Sequence, residues 1–215
     1  QKNRLREVNL PEGLEEIGTL AFNGNNLISI EIPDSVIKMG EGTFSLNNIS
    51  YAKLSKNMKT VPNGIFSRNL NLKNIDIPDG VETIGQSAFS GCPLESINIP
   101  NTVKTIGRYA FLSHRITTLE IPSSVDTIED QAFASNKKFR YLKNLILNEG
   151  LKTIGKDAFK SGLIEEVVIP SSLTSLDKNA FNDNMDSEKN VIKVKVYTYN
   201  KEHLKFEQSK HHKII

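Results

Sequence analysis

The chain has 215 residues, of which 38% are hydrophobic and 24% charged, and its formal net charge is +2. This is the composition of an ordinary globular protein, and so small a net charge gives no electrostatic reason to expect a nucleic-acid or anionic-membrane partner. No apolar run of about 18 residues occurs, so no segment is expected to insert into a membrane, and the single cysteine, Cys92, excludes an internal disulfide framework.

The chain repeats one pattern at a nearly fixed interval. The segments IPDGVETIGQSAF at 77–89, IPNTVKTIGRYAF at 99–111 and IPSSVDTIEDQAF at 121–133 differ mainly at their polar places. A phenylalanine ends each copy, 22 or 23 residues after the one before, except for a 26-residue step after Phe133. The eight members of this column are Phe22, Phe44, Phe66, Phe89, Phe111, Phe133, Phe159 and Phe181. A period of this length is typical of stacked coils that share one continuous core, and eight to nine coils of about 22 residues are expected.

Each copy predicts two short strands. In residues 94–111 the sequence INIP is typical of a strand with alternating buried side chains, and Pro100 ends it because proline has no N–H to continue the ladder. A second apolar step follows, from Val103 to Ile106. A β-branched residue precedes the last place of this step in most copies, which favours a second strand over a helix. The threonines in that column are Thr60, Thr83, Thr105, Thr127 and Thr153.

Two further columns predict turns. Glycine follows the second strand in five copies, where we expect a φ angle that other residues avoid. These glycines are Gly18, Gly40, Gly85, Gly107 and Gly155. Asparagine stands three places after most of the phenylalanines, and we expect it to form a corner by adopting the left-handed region and by hydrogen-bonding nearby backbone. Cys92 and His114 occupy the same column, so we interpret both as structural residues rather than as a nucleophile or a ligand.

Two copies are longer than the rest, and the two ends differ from the middle. Extra residues lie within 134–141 and within 182–190, and because both sets fall at the same place in the coil they are expected to protrude from one edge of the stack. The solenoid is predicted to occupy 1–196, and a polar cap or tail 197–215. At the other end Gln1 is not a natural start, so we expect the N-terminal side of the solenoid to be truncated and to self-associate through its uncapped coil.

The pattern Leu-x-x-Ile-x-Ile-Pro followed by Val-x-x-Ile-Gly-x-x-Ala-Phe, complete at 94–111, resembles the BspA-like class of leucine-rich repeats over residues 5–181. The resemblance implies a β-rich, α/β-type solenoid wound as a right-handed superhelix, with a parallel sheet on its concave face and short second strands or turns on the other side. It also implies a setting, because family members are commonly secreted or surface-attached proteins of bacteria and some protists. Several resemble adhesins that bind host extracellular-matrix or cell-surface proteins, but the repeat pattern itself does not encode the ligand.

No constellation of titratable residues indicates an enzyme. The chain has no P-loop, no nucleophile elbow and no zinc-protease motif. The acidic residues Asp183, Asp186 and Glu188 lack the spacing and the glycine turn of a calcium loop. We therefore expect no cofactor, no metal site and no catalytic residue, and an enzyme is the least favoured of three functional hypotheses.

The most informative surface is the outward side of the first strands. Most outward places there carry a small polar side chain or a lone charge, whereas Ile146 and Val168 are β-branched residues in adjacent copies. Glu166, Lys193 and Lys195 border them, and an apolar centre with a charged rim is the layout of a protein-binding surface. Since β-branched residues are often exposed in sheets, an ordinary solvated face is the alternative interpretation.

Tyr51 and Lys53 form a second, smaller candidate site on the same side of the third copy. The favoured hypothesis is a non-enzymatic module of a secreted or cell-surface protein, which binds a protein partner in adhesion or in host or cell interaction. The alternative is a structural spacer that holds another domain away from the cell surface, and a featureless strand face would favour that alternative.

Overall fold

The computed structural model describes residues 4–136, 140–186, 188, 190, 194–198 and 212–214, and this part of the chain contains short strands and no helix. The strands are β1 (Glu16–Ile17), β2 (Ser29–Glu31), β3 (Lys38–Met39), β4 (Tyr51–Lys53), β5 (Thr60–Val61), β6 (Thr83–Ile84), β7 (Thr105–Ile106), β8 (Thr118–Ile121), β9 (Thr127–Ile128), β10 (Asn144–Leu147), β11 (Thr153–Ile154), β12 (Glu166–Ile169), β13 (Ser175–Leu176), β14 (Val194–Thr198) and β15 (His212–Ile214).

Successive coils pair in parallel at two places. The two-residue second strands form a six-stranded sheet in the order β13-β11-β9-β7-β6-β5, while β1 and β3 pair separately. The first strands pair as β2-β4, β8-β10 and β12-β14-β15, and we call their outward side the first-strand face. Threonine lies beside threonine in the second-strand register, as Thr105 does between Thr83 and Thr127. This recurrence of the same columns confirms the predicted parallel-strand solenoid.

A ladder of stacked phenylalanine rings runs through the core. Neighbouring rings from Phe22 to Phe181 have centroids 4.9 to 6.0 Å apart and lie within 16° of parallel. All of these rings except that of Phe22 are fully or almost fully buried. Burying one such ring contributes about 1.5–3 kcal/mol, so the ladder is a main source of the stability of the stack.

The glycine column is required by close stacking and not by the φ angle that the sequence predicted. None of its five members has a positive φ. A Cβ atom added at Gly85 would lie 2.7 Å from the carbonyl oxygen of Val61, and one at Gly107 would lie 2.8 Å from the backbone nitrogen of Gln86. At Gly18, in the first coil, nothing lies within 4 Å of such an atom. At these places the missing side chain lets the coil approach the coil before it, whereas three other coils carry Pro62, Glu129 and Asp177 at the same place.

Two other places in the coil adopt the left-handed region. One lies two residues after the glycine place, and the other lies two residues after the phenylalanine. Most of these places carry a side chain, with φ between 55° and 68°: Leu20, Ser87, Tyr109, Gln131 and Asp157 in the first set, and Leu46, Arg68, Ser113, Ser161 and Asp183 in the second. This conformation costs a non-glycine residue about 1–2 kcal/mol, so inter-coil bonding has to hold these turns in place.

The asparagine column joins each coil to the one before it. Asn69 is fully buried. Its Oδ1 accepts a hydrogen bond from the Ile49 N–H at 3.0 Å, and its Nδ2 donates to the carbonyl oxygens of Phe44 at 3.0 Å and Phe66 at 2.8 Å. The same three bonds recur at Asn47 and Asn184. No asparagine of the column has a positive φ, so the predicted hydrogen bonding is confirmed and the predicted left-handed conformation is wrong.

The solenoid is slightly shorter than predicted. It has about seven turns of roughly 22 residues rather than eight to nine, because eight phenylalanines enclose only seven steps along the stack. The α component of the predicted α/β-type fold is also wrong for the part of the chain that the structure describes, where only strands and turns occur. The prediction of a right-handed superhelix was too specific, since the pairing and register of the strands do not by themselves define the hand.

The C-terminal end of the stack contains two strands, β14 and β15, and the second lies within the predicted cap or tail 197–215. β14 pairs in parallel with β12 and also with β15, so residues 212–214 return to the stack where a polar tail was predicted. β14 runs across the predicted boundary at residue 196, and that boundary stays a prediction. Residues 199–211, the greater part of the predicted tail, lie outside the described residues.

Candidate protein-binding surface

The strands of the first-strand face present alternate side chains to solvent. In β10 and β12 the pattern of exposed and buried residues alternates strictly. Ile146 and Val168 therefore point outwards, while Leu145 and Val167 face the core. This is the period-two alternation of a sheet with one solvated face, and it fixes the direction of each candidate side chain.

Ile146 and Val168 are exposed aliphatic residues on this face, as strand alternation predicted. Ile146 is 48% exposed and Val168 is 53% exposed. They occupy equivalent places in β10 and β12, which lie next to each other in the stack. On the other side of Ile146, the register places Glu120 directly opposite. Two half-exposed β-branched side chains thus sit beside a carboxylate on a rigid scaffold.

The charged border differs from the predicted one by a shift of register. The repeat pattern placed Lys193 beside Glu166 and Lys195 beside Val168, but the structure pairs Lys195 with Glu166. The inserted segment before β14 is therefore two residues longer than the pattern indicates. Lys195 is exposed, so an acidic and a basic residue face each other at the edge of the apolar pair. Lys193 lies outside the described residues.

A cleft opens between β10 and β12. The cavity has a volume of about 440 Å³. Its lining combines apolar and charged residues, namely Lys143, Asn144, Leu145, Ile146, Leu163, Glu165 and Glu166. The cleft brings Ile146 and Glu166 of the predicted site together at one concave feature, and it adds Glu165, which sequence reasoning did not single out.

Tyr51 and Lys53, the second predicted candidate site, lie on β4 of the same face. Tyr51 is 52% exposed and pairs with Ser29 of β2. Lys53 is flanked by Glu31 on one side and Asp76 on the other. Because its two neighbours are both carboxylates, Lys53 belongs to a row of alternating charge. Among residues 29–53, Tyr51 is the only aromatic side chain on this face that a partner could cover.

The two inserted segments meet at the edge of the solenoid. The guanidinium of Arg140 donates a hydrogen bond to the carbonyl oxygen of Asp183, two coils further on. This contact puts both insertions at one edge, as their common place in the repeat predicted. Sequence reasoning missed Arg140 itself, and the available signal was its position at the end of the longer copy.

The two reactive residue types of the corner column are buried. The Cys92 Sγ donates to the Phe66 carbonyl oxygen at 3.1 Å, and burial raises the pKa of the thiol to about 12. A thiol that stays protonated at neutral pH is neither a nucleophile nor a metal ligand. The Nδ1 of His114 accepts a hydrogen bond from the Ile116 N–H at 2.9 Å, and its Nε2 lies 3.1 Å from the Phe133 oxygen. The neutral tautomer with its proton on Nε2 satisfies both contacts.

His114 makes the stability of the fold sensitive to mild acid. Burial lowers the pKa of its imidazole from 6.5 to about 4. The unfolded chain therefore binds a proton as the pH falls below about 6.5, while the folded chain does not until about pH 4. We expect the free energy of unfolding to fall by about 2–3 kcal/mol between pH 7 and pH 4.5 from this residue alone.

His114→Asn is the matched control for this pH effect, because it places the common residue of the column at the same corner. Urea unfolding of both proteins at pH 7 and pH 4.5 measures the difference, and carboxylates common to both chains cancel. The variant should lose about 2–3 kcal/mol less than the parent between the two pH values. An equal loss in both proteins would show that His114 is not the titrating group.

The remaining chemistry of the surface is that of contact rather than coordination. In the described ranges, no group of three or more His, Cys, Asp or Glu side chains is placed to hold a metal ion. Over the same residues, no helix has both the length and the apolar composition needed to cross a membrane. What the first-strand face offers is apolar area, hydrogen-bonding groups and fixed charges.

The chain is similar to known repeat proteins. The family model described as BspA type leucine rich repeat region matches six copies, over residues 1–76 and 59–188. No curated protein matches the chain. A leucine-rich repeat protein from Bacteroides ovatus is 22% identical with a TM-score of 0.56, over 98% of this chain and 71% of that one. The pneumococcal vaccine antigen PcpA is 20% identical with a TM-score of 0.59, over 94% and 59%. The T. pallidum leucine rich repeat protein is 23% identical with a TM-score of 0.55, over 70% and 72%.

These likenesses agree with the architecture of the stack. At such identities the solved structures show the fold alone, whereas the family model covers most of the chain. Repeat regions of this kind are generally non-catalytic scaffolds that mediate protein–protein interaction. From the matched copies, the stacked phenylalanine ladder and the parallel strand columns, we conclude that the chain belongs to the BspA-type leucine-rich repeat family.

Proposed function

We propose that this chain is a non-enzymatic protein-binding module of a secreted or cell-surface protein, which acts in adhesion or in another interaction with host or neighbouring cells. The observation that carries the proposal is the exposed pair Ile146 and Val168 on the first-strand face. Membership of the BspA-type family supports the binding role, and the likeness to a pneumococcal vaccine antigen supports a location outside the cell or on its surface.

The layout around this pair is that of a contact surface. Glu166 and Lys195 lie on one side of it and Glu120 lies on the other, so a small apolar centre has a rim of both charge signs. Covering the exposed halves of the two side chains would contribute about 1–3 kcal/mol to binding. The cleft between β10 and β12 gives the same surface a recess for a partner side chain.

The double variant Ile146→Lys with Val168→Lys tests the proposal. Because both side chains point to solvent, the variant should keep its fold while binding to host cells or matrix proteins falls at least about tenfold. Asn74→Lys with Asn98→Lys is the control, because both residues are exposed on the same face and the two substitutions add the same charge as the test variant. Binding is measured with labelled protein on cells, and folding by circular dichroism. Unchanged binding by a folded double variant would remove this surface from the proposal.

The alternative function is a spacer that holds another domain away from the cell surface. The regular parallel stack and the polar character of most outward places on the first-strand face favour it. A spacer requires no particular exposed side chain. Retained cell attachment by both double variants, together with its loss when the number of coils is reduced, would favour the spacer over the binding module.

The N-terminal coil supports self-association as a further part of this proposal. Phe22 is only partly buried, Leu5 is 41% exposed, and the space beside Gly18 is open. The Phe22 N–H of the first coil donates a hydrogen bond to the Thr43 carbonyl oxygen of the second coil. Ala21 is the residue of the first coil that corresponds to Thr43. A coil with partly exposed apolar side chains favours association with another chain.

We expect sedimentation analysis to show an apparent mass that rises with protein concentration. Leu5→Lys should weaken this association, because it introduces a charge at the exposed coil end, whereas Asn98→Lys in the middle of the stack should not. A chain that stays strictly monomeric at high concentration, with its first coil ordered, would contradict this part of the proposal.

A further inference from the structure

The first-strand face is interrupted between β10 and β12. β10 pairs with β8, and β12 pairs with β14, but in the described part of the chain no ladder joins β10 to β12. Where the two strands begin, the Leu163 N–H still donates to the Leu142 oxygen at 2.7 Å. The two coils are thus hydrogen-bonded just before these strands, and the cleft of about 440 Å³ described above lies between the strands.

The walls and floor of this cleft differ in chemistry. Leu145 is buried and Leu163 is partly buried, and they form an apolar floor that continues to Ile146 at the lip. The β12 side carries two adjacent exposed carboxylates, Glu165 and Glu166. The β10 side contributes Lys143 and Asn144, so the lining holds two carboxylates and one ammonium group. A recess with an apolar floor, a largely polar lining and one more carboxylate than ammonium group suits a long side chain that ends in a cation.

We propose that this cleft binds an arginine side chain of the protein partner. The aliphatic stem packs on Leu145, Leu163 and Ile146. The guanidinium reaches the carboxylates of Glu165, just before β12, and Glu166, where its planar donors match carboxylate oxygens. Because Lys195 lies opposite Glu166, Glu165 makes the main contact. This inference rests on the proposed function and specifies the partner residue that the surface selects.

Other side chains fit the recess less well. A purely apolar side chain would fill the floor but cover the carboxylates without pairing them, which is unfavourable. An acidic side chain would be repelled by Glu165 and Glu166. Lysine has the charge but not the flat fork of donors, so it makes fewer hydrogen bonds to a carboxylate.

The test is an NMR titration of the protein with N-acetyl-arginine N-methylamide, compared with the citrulline analogue, which has the same shape without the charge. We expect saturable amide shifts confined to 143–146 and 163–166 with the arginine probe, and at least about fivefold weaker binding of the citrulline probe. Glu165→Gln should weaken arginine binding about twofold to fivefold, within the range of a solvent-exposed ion pair. Glu7→Gln makes the same charge change at an exposed place of the first coil and should have no effect.

Shifts spread over acidic residues elsewhere, equal binding of the citrulline probe, or no response to Glu165→Gln would each overturn the inference. The outcome is separable from that of the proposed function, because the probe needs no identified partner. If the Ile146 and Val168 double variant abolishes cell binding while the arginine probe fails, the surface stands and the arginine assignment falls. If the probe binds as expected while the double variant still attaches to cells, the cleft stands and the proposed contact surface falls.

Discussion

Phe111→Ala is expected to lower the free energy of unfolding by about 3–5 kcal/mol, and Phe22→Ala is expected to lower it by markedly less. Phe111 is fully buried and stacked between Phe89 at 5.4 Å and Phe133 at 4.9 Å. Removal of the Phe111 ring leaves a cavity in the middle of the ladder, and the neighbouring coils on its two sides cannot fill it. Phe22 has one stacked neighbour and is partly exposed, so less apolar area is lost there.

The comparison tests the stack as a whole, because in a repeat array terminal coils fray before central ones. The chain has no tryptophan, so urea unfolding is best followed by far-ultraviolet circular dichroism. Phe89→Ala, one coil away from Phe111, should behave like Phe111→Ala and serves as the internal replicate. Equal losses for Phe22→Ala and Phe111→Ala would contradict a solenoid whose ends are less stable than its centre.

Asn69→Ala is expected to lower the free energy of unfolding by about 1–3 kcal/mol, although it removes only a small polar side chain. The substitution leaves the buried Ile49 N–H without its acceptor. The carbonyl oxygens of Phe44 and Phe66 each lose one donor but keep another, from Asn47 Nδ2 and from the Asn69 N–H respectively. Each buried backbone group without a hydrogen bond costs about 1–3 kcal/mol, and water can relieve part of that cost only by entering the corner.

The matched control is Asn71→Ala, two residues along the chain at an exposed place. A surface change of this kind stays within about 0.5 kcal/mol. Both variants can be compared in the same urea titration, with hydrogen exchange of the Ile49 amide as a local readout. An Asn69→Ala protein as stable as Asn71→Ala would show that the corner hydrogen bonds contribute nothing net to the fold.

The repeat period predicted the parts of the fold that depend on apolar burial. The phenylalanine column and the second-strand column appear where the sequence placed them, because an apolar side chain in a stack of similar coils has few other places in which to be buried. The first strand predicted at 97–100 is absent, and in the preceding coil it is reduced to a single bridge at Asp76. The turns were harder to predict. Gly85 and Gly107 suggested an unusual φ. Glycine is instead favoured there because the backbone of the preceding coil leaves no room for a Cβ atom, and the sequence of a single repeat does not show how close that coil lies.

The left-handed places show the same limit. Tyr109 and Gln131 have φ near 55–59°, although neither residue type favours that region. Hydrogen bonds to the next coil hold these turns, as the Tyr109 N–H donates to the Asp130 oxygen. A conformation imposed by stacking cannot be deduced from local residue preference.

The candidate site could be predicted only in part. Strand alternation correctly placed Ile146 and Val168 in solvent, because a period of two follows directly from the apolar pattern. The register of Lys195 could not be counted across an insertion of irregular length, so its partner was misassigned. The cleft at Glu165 depends on the separation of two strands, which is a property of the backbone and leaves no signal in the spacing of residues.

The direction of the asparagine bonds has a consequence for how the molecule is made. The side-chain hydrogen bonds of Asn47, Asn69 and Asn184 all reach residues that precede them in the chain. During synthesis each new coil can therefore be locked onto its predecessor as soon as its corner asparagine emerges, since N-terminal parts fold first on the ribosome. His114 points the other way, as its Nε2 bonds to Phe133, which is made later. The corner side chains thus favour assembly of the solenoid coil by coil from the N-terminus, except at the fifth corner, where the bond of His114 is completed only after Phe133 has been made.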